Sequence, residues 1–239
     1  MSDRHSLLDT IANAFVPIHQ DGYKFVAVGA IATLFLFLFV PALGWLMALG
    51  TVFCAYFFRD PERVTPERPG LVVSAADGRL SAVSHDVTAP RELALGTTPM
   101  TRVSVFLSVL DVHIVRAPVG GKIIHSAYVP GAFINAELDK ASEENERQAY
   151  VIETKSQGSQ PGEKIGVVLI AGLVARRIVP FVSDGASLEA GQRMGLIRFG
   201  SRVDLYLPPD MAVLADIGQT AIGGETVLAL FAGTNEEGD

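Results

Sequence analysis

The stretch RFGSRVDLYLP, Arg198 to Pro208, opens a strand-like alternation of apolar and polar residues on a bare Gly-Ser pair. Glycine inside such a pattern marks a bulge or a close approach to the backbone. The chemical alternative is that Gly200 exposes its carbonyl and Ser201 sets a nucleophile beside it. A second pair, Gly158-Ser159, falls in the polar run SQGSQPG and reads as a flexible loop. A serine nucleophile needs a base, and the base needs an orienting group. Of the five histidines, His5 and His19 belong to a polar N-terminal tail, and His85 and His125 read as surface or packing residues. His113 stands apart in LDVHIVRAPVGG, where a strand runs into a Pro and Gly-Gly turn. Asp77, in SAADGR, is the carboxylate candidate, although Asp-Gly is ordinarily a turn. No His, Asp and Glu cluster has metal-ligand spacing, and no glycine-rich phosphate loop follows a strand, so no metal is expected.

These residues need a scaffold, and the chain from Gly70 onward supplies one. Short runs rich in Val and Ile (LVVSAADGRLSAV, TRVSVFLSV, GGKIIHSAYV, EKIGVVLIAGLVARRIVPFV, RVDLYLP, TVLALF) alternate with Gly, Pro, Asp and Asn turns. That spacing predicts a mainly β domain, sandwich or barrel-like, with helix limited to a short stretch near Ala136 to Asn145. SDGASLEAGQRMGLIRFG and ADIGQTAIGGETVLALFAG share a turn, an apolar residue, a glycine and a strand, which suggests a weak duplication. The pattern resembles the hybrid sheets of biotinyl and lipoyl carrier domains. The lysine those carriers present between methionines at a hairpin tip is missing, which sets a covalent carrier aside.

Residues 59–69, RDPERVTPERP, form a charged linker punctuated by proline, and before it Phe25 to Phe58 contains no Asp, Glu, Lys, Arg or His. One straight helix of that length would reach about 51 Å, against a hydrocarbon core of roughly 30 Å. Pro41 and Gly44 are expected to break it into two arms of about 16 residues each, a membrane-associated hairpin that spans or lies in one leaflet. The run begins too late, and is too long, for a cleaved signal peptide. Trp45 beside the break suits an interface position or plain packing. The expected organisation is a polar tail 1–24, a hairpin 25–58, a linker 59–69 and a β domain 70–239. A net charge of −7 without a basic stripe argues against a nucleic-acid surface. The single cysteine, Cys54, excludes intramolecular disulfides and thiolate metal cages.

FFRDPER after an apolar hairpin, AADGRL, FLSVLDVHIVRAPVGGKI, NER at Asn145 to Arg147, and FGSRVDLYLP occur in an order that resembles phosphatidylserine decarboxylases of the short bacterial and archaeal type. The resemblance covers almost the whole chain. It implies a proenzyme in which the Ser201 hydroxyl attacks the Gly200 carbonyl and elimination leaves dehydroalanine, which becomes a pyruvoyl group. Residues 1–200 would then form a β chain and residues 201–239 an α chain, held together by sheet pairing. It implies that the pyruvoyl carbonyl forms a Schiff base with phosphatidylserine and that CO2 is lost to give phosphatidylethanolamine. It places His113 and Asp77 in the machinery with Ser201. Long-form members carry Tyr-His-x-x-His-x-Pro, where this chain has Arg116 at the second histidine position and Phe-Gly-Ser-Arg in place of Leu-Gly-Ser-Thr. Arginine stays protonated and is a poor base, so Arg116 is expected to bind the carboxylate or phosphate of the substrate. The resemblance also implies an inner-membrane location with the catalytic domain on the cytoplasmic side, and leaves a homo-oligomer open.

The sequence is also compatible with two other readings. Pyruvoyl groups also serve decarboxylases of other amino acid substrates, typically soluble, against which the apolar hairpin weighs. Alternatively, the chain is a membrane-anchored β module that binds a partner, with Gly200-Ser201 an ordinary turn. One uncleaved chain on a denaturing gel would favour that module.

Overall fold

A computed structural model describes residues 16–132, 144–155, 162–172, 177–198 and 200–231. The loop expected at Gly158-Ser159, most of the short helix expected near Ala136 to Asn145, and His5 lie outside the described residues. The chain divides into two units, one ending at Glu62 and the other starting at Arg63.

In the first unit the charge-free run forms two helices, α1 (Gln20–Phe39, 20 residues) and α2 (Pro41–Phe57, 17 residues). Their antiparallel course is visible in the positions that face each other. A Cβ on Gly22 would meet Phe58, one on Gly29 would meet Thr51, and one on Gly44 would meet Phe37. The break falls at Val40, with Pro41 starting α2 at a position where its missing N–H costs nothing. Contrary to expectation, Gly44 does not contribute to the break. It lies inside α2, where its lack of a side chain lets Phe37 approach, and Phe37 also meets Trp45 edge-on at 5.3 Å. α1 starts at Gln20, earlier than the apolar run, with His19 as its N-cap accepting from the Asp21 amide. Thr33 and Thr51 donate to the carbonyls of Gly29 and Met47 at 2.8 Å, so neither hydroxyl needs water. Val28, Ile31, Leu34, Leu38, Leu46 and Leu49 are all exposed. An apolar surface of that extent needs lipid or protein cover. Among the described residues, α1 alone is long and apolar enough to cross a membrane.

The second unit is built from antiparallel pairs. Its large sheet contains β2 (Gly78–Thr88), β3 (Pro99–Leu107), β5 (Gly121–Val129), β6 (Arg147–Thr154), β7 (Lys164–Ala171), β9 (Ser187–Leu188), β11 (Ser201–Leu207) and β13 (Thr220–Ala221). The order is β13-β2-β3-β11-β7-β6-β5-β9, which puts β11 near the centre between β3 and β7. Two three-stranded sheets accompany it. One is built from β1 (Leu71–Val73), β12 (Ala212–Val213) and β14 (Val227–Leu230), in the order β1-β14-β12. The other is built from β4 (Ile114–Arg116), β8 (Ile178–Pro180) and β10 (Arg193–Ile197), in the order β4-β10-β8. The expected mainly β sandwich with an apolar helix pair is therefore observed.

Period-two alternation puts Ser201, Val203, Leu205 and Leu207 on one face of β11. Val203, Leu205 and Leu207 join Val103, Val105, Leu107, Val167 and Leu169 in the main core, together with Val72, Val115, Met194 and Leu228 from the small sheets. The opposite face carries a second cluster in which Tyr206, Val168 and Ile170 pack with Leu93 of the 3-10 turn Arg91–Leu93.

The suspected duplication is real at the level of hydrogen bonds. Leu80 N donates to Gln219 O and Gly218 N to Leu80 O; in the other half Ile123 N donates to Ala186 O and Gly185 N to Ile123 O. Gly224 N reaches Ser74 O just as Gly191 N reaches Ala117 O. The halves interlock where Val73 N donates to Pro118 O and Arg116 N to Ala75 O. In this correspondence the position of Asp77-Gly78 is taken by Gly120-Gly121.

Candidate active site

Ser201 starts β11, flanked across the sheet by Leu107 on β3 and Ala171 on β7. Its side chain follows the apolar series into the core, and the hydroxyl is fully buried with no hydrogen-bond partner among the described residues. A buried hydroxyl left unpaired costs about 1–3 kcal/mol, and such a group calls for a functional explanation. Gly200 before it has φ +66°, the left-handed region that glycine enters freely. Its carbonyl oxygen accepts the Gly172 amide at 2.9 Å.

His113 lies in the short connection between β3 and β4 and is completely buried. Its backbone oxygen accepts from Ile197 N at 3.2 Å, fixing it to the end of the strand that leads to Gly200. Nδ1 is 2.9 Å from the carbonyl oxygen of Asp111. A carbonyl can only accept, so Nδ1 carries the proton and Nε2 presents a lone pair. That nitrogen faces the Gly200 amide at 3.3 Å. The connection is held in shape by Asp111, whose carboxylate accepts the Ser108 amide at 2.7 Å. Gly200 and Ser201 share one peptide bond, and His113, far away in sequence, contacts the backbone N–H at the start of Gly200, one residue's backbone before that bond.

Asp77 and Arg116 lie by the same turn, Asp77 at Gly223 and Arg116 beside Gly224. Asp77 Oδ1 accepts the Gly223 amide at 2.8 Å and Oδ2 pairs with Arg63 Nη2 at 2.6 Å. Arg116 is buried, donates from Nη1 to Gly191 O at 3.0 Å, and runs beside Gly224, where a Cβ would stand 2.9 Å from its Cδ. The cluster lies at the end of the large sheet that carries Ser201. Gly78, next to Asp77, has φ +149°, and a Cβ there would collide with the Phe106 carbonyl, one residue before the Leu107 that pairs with Ser201. The other histidines of the β unit stay outside this region: His85 is exposed beside Thr101, and His125 contacts the Glu92 carbonyl.

Four participants have roles that are not legible in the sequence. Gly172 contributes through its amide, which leaves no residue-type signature. Asn145, fully buried, donates from Nδ2 to Ala171 O at 2.6 Å, while Glu146 O accepts from Ala171 N and Glu146 Oε1 from Ile178 N. Together they clamp the strand end opposite Ser201; the Asn-Glu-Arg block is visible in the sequence, but this role is not. Arg63 is hidden by its setting, a charged stretch that has the composition of a linker.

An unpaired buried hydroxyl, a neighbouring glycine in a left-handed conformation, an amide on that glycine's carbonyl and an imidazole lone pair at its N–H suit rearrangement of the Gly200–Ser201 peptide bond. The residues present fit a prosthetic group made from Ser201. Residues 51–229 match the family described as phosphatidylserine decarboxylase. A relative from Nitrobacter winogradskyi, a phosphatidylserine decarboxylase proenzyme, is 55% identical over 92% of this chain and 86% of its own length. With that match spanning both the hairpin and the Gly-Ser pair, the chain belongs to the phosphatidylserine decarboxylase family.

Proposed function

We propose that this chain decarboxylates phosphatidylserine to phosphatidylethanolamine, using a pyruvoyl group made by self-cleavage between Gly200 and Ser201. The observation that carries this reading is the buried Ser201 hydroxyl, without a hydrogen-bond partner among the described residues, beside a left-handed glycine whose N–H donates to His113 Nε2. In the first step the Ser201 oxygen adds to the Gly200 carbonyl carbon, and its proton passes to a base, for which His113 Nε2 is the candidate. Negative charge collects on the Gly200 oxygen, where the Gly172 amide already donates. Breaking the C–N bond gives an ester and frees the Ser201 amine, which takes up a proton. Loss of the Ser201 α-proton expels the Gly200 carboxylate and leaves dehydroalanine. Its imine tautomer adds water and releases ammonia, leaving the pyruvoyl group on residue 201.

The pyruvoyl group supplies an electron sink for loss of CO2 from the amino-acid headgroup. The protein's part is to hold and shield. Leu107 and Ala171 flank the group's position in the sheet, and His113 is the candidate for moving a proton beside it. Arg116, a permanent cation, is the candidate for the carboxylate or phosphate of the headgroup. After cleavage the 201–239 chain would remain bound, because β11 pairs with β3 along its whole length and with β7 from Ser201 to Tyr206, and β14 pairs with β1. The helix pair gives the enzyme a hold on the membrane that contains its substrate, and we place it in the inner membrane with the β domain in the cytoplasm.

The test uses purified full-length protein with phosphatidylserine vesicles and cyanoborohydride. The lipid's mass should be added to the 201–239 chain alone, and without reductant phosphatidylethanolamine should accumulate. An adduct with a soluble amino acid, but none with the lipid, would contradict the assignment of substrate.

A further inference from the structure

Asp77 is gripped from two directions. The Gly223 amide holds Oδ1, and Arg63, the first residue of the β unit, holds Oδ2 at 2.6 Å with both side chains largely buried (13% and 16% exposed). We propose that Arg63 is a positioning residue that fixes the Asp77 carboxylate at the Ser201 end of the sheet and thereby sets the rate of maturation or turnover. This rests on the functional reading above. The segment that carries Arg63 is itself docked: Val64 N donates to Glu225 Oε1 at 3.0 Å, and Thr65 packs over Gly191, where no Cβ could fit. Arg63 is therefore presented to Asp77 by a fastened backbone.

The duplicated architecture argues that the pair is not there to brace a turn. Where one half has Asp77-Gly78, the other has Gly120-Gly121, and that turn opens β5 in the same way with a glycine in the place of the aspartate. The fold therefore does not need a charge pair at this position. The half that has one is the half whose turn abuts Phe106 O and leads across β3 to Ser201. A bidentate-capable arginine would hold a carboxylate in one orientation without approaching the reacting bond.

The test compares full-length Arg63→Gln, Arg63→Lys, Asp77→Asn and the Arg63→Gln/Asp77→Asn double variant. Chain cleavage is read on denaturing gels, turnover with phosphatidylserine vesicles, and folding by thermal midpoint. Arg63→Gln should lose about tenfold or more in one of the two rates, the scale expected when a working group is displaced. Arg63→Lys should recover part of that loss by restoring the charge. The double variant should be no slower than Asp77→Asn, because an orienting group has no effect once its target is gone. A wild-type rate in Arg63→Gln would overturn the proposal. So would a loss that adds in full to that of Asp77→Asn, or one that follows the thermal midpoint and is not rescued by lysine. If Asp77→Asn matures and turns over normally while Ser201 remains essential, the function stands and the role of Arg63 falls. If wild type yields no cleaved chain, the functional reading itself is wrong.

Discussion

Among the described residues no atom lies within 4 Å of where a Cβ on Gly200 would stand, yet φ is +66°. The requirement for glycine is therefore conformational and not steric. Gly200→Ala should cost about 1–2 kcal/mol in the left-handed region and slow cleavage. Gly200→Asn should cleave faster than Gly200→Ala because asparagine tolerates that region better. Time courses of processing on gels check the order. His113→Gln keeps a polar side chain without the imidazole base and should slow cleavage by about 10²–10⁴-fold, measured on purified precursor. At this scale the sequence is informative where chemistry needs a particular side chain. Ser201, Gly200 and His113 each sit in a stretch with few alternatives. Asn145 and Gly172 escape notice because their work is done on the backbone of strands that are distant in sequence, and nothing local marks which carbonyl an asparagine will reach.

Among the elements, β11 carries the most. Its inward face supplies Ser201 and core residues, and its outward face supplies Arg202, Asp204 and Tyr206, all buried. Burial holds the Tyr206 hydroxyl up to a pKa of about 12, with the Asp204 charge adding to the rise and Arg102 and Arg202 opposing it. Burial raises Tyr150 in the same direction. A tyrosine ionising near pH 10 when unfolded and near 12 when folded binds its proton more tightly in the native state. Its stabilisation is complete below about pH 10 and disappears as pH climbs toward 12. The share of phenolate absorbance that Tyr206→Phe removes should therefore appear together with loss of the β circular dichroism signal above about pH 10, and that variant should move the alkaline midpoint upward. Appearance of that Tyr206 share with the sheet intact would contradict this burial. Strand positions are legible because alternation and turn residues are local signals, and the duplication is visible in its repeated glycines. The pairing order is not, since β11 finds β3 and β7 through contacts that no local pattern specifies.

For the whole molecule, the charge-free run is enough to announce a helix pair, because no soluble core of this size would take up 34 residues without one charge. The packing of the two helices does not follow from it, because Gly44 reads as a breaker in sequence and proves to be a seat for Phe37. A chain starting at Arg63 should fold, remain soluble and fail to float with vesicles, whereas full-length protein floats. A chain starting at Pro69 should be less stable, because it loses both the Arg63–Asp77 pair and the Val64–Glu225 bond. Equal flotation of the short and full chains would contradict the role given to the hairpin. The most direct measurement for the self-cleaving reading is the intact mass of wild type, Ser201→Ala and Ser159→Ala, purified side by side. Wild type and Ser159→Ala should each give two chains, 1–200 and 201–239, the shorter with a blocked N-terminus. Ser201→Ala should give one full-length chain with no decarboxylase activity. Two chains from Ser201→Ala, or a single chain from Ser159→Ala, would contradict the placement of the reacting bond at Gly200–Ser201.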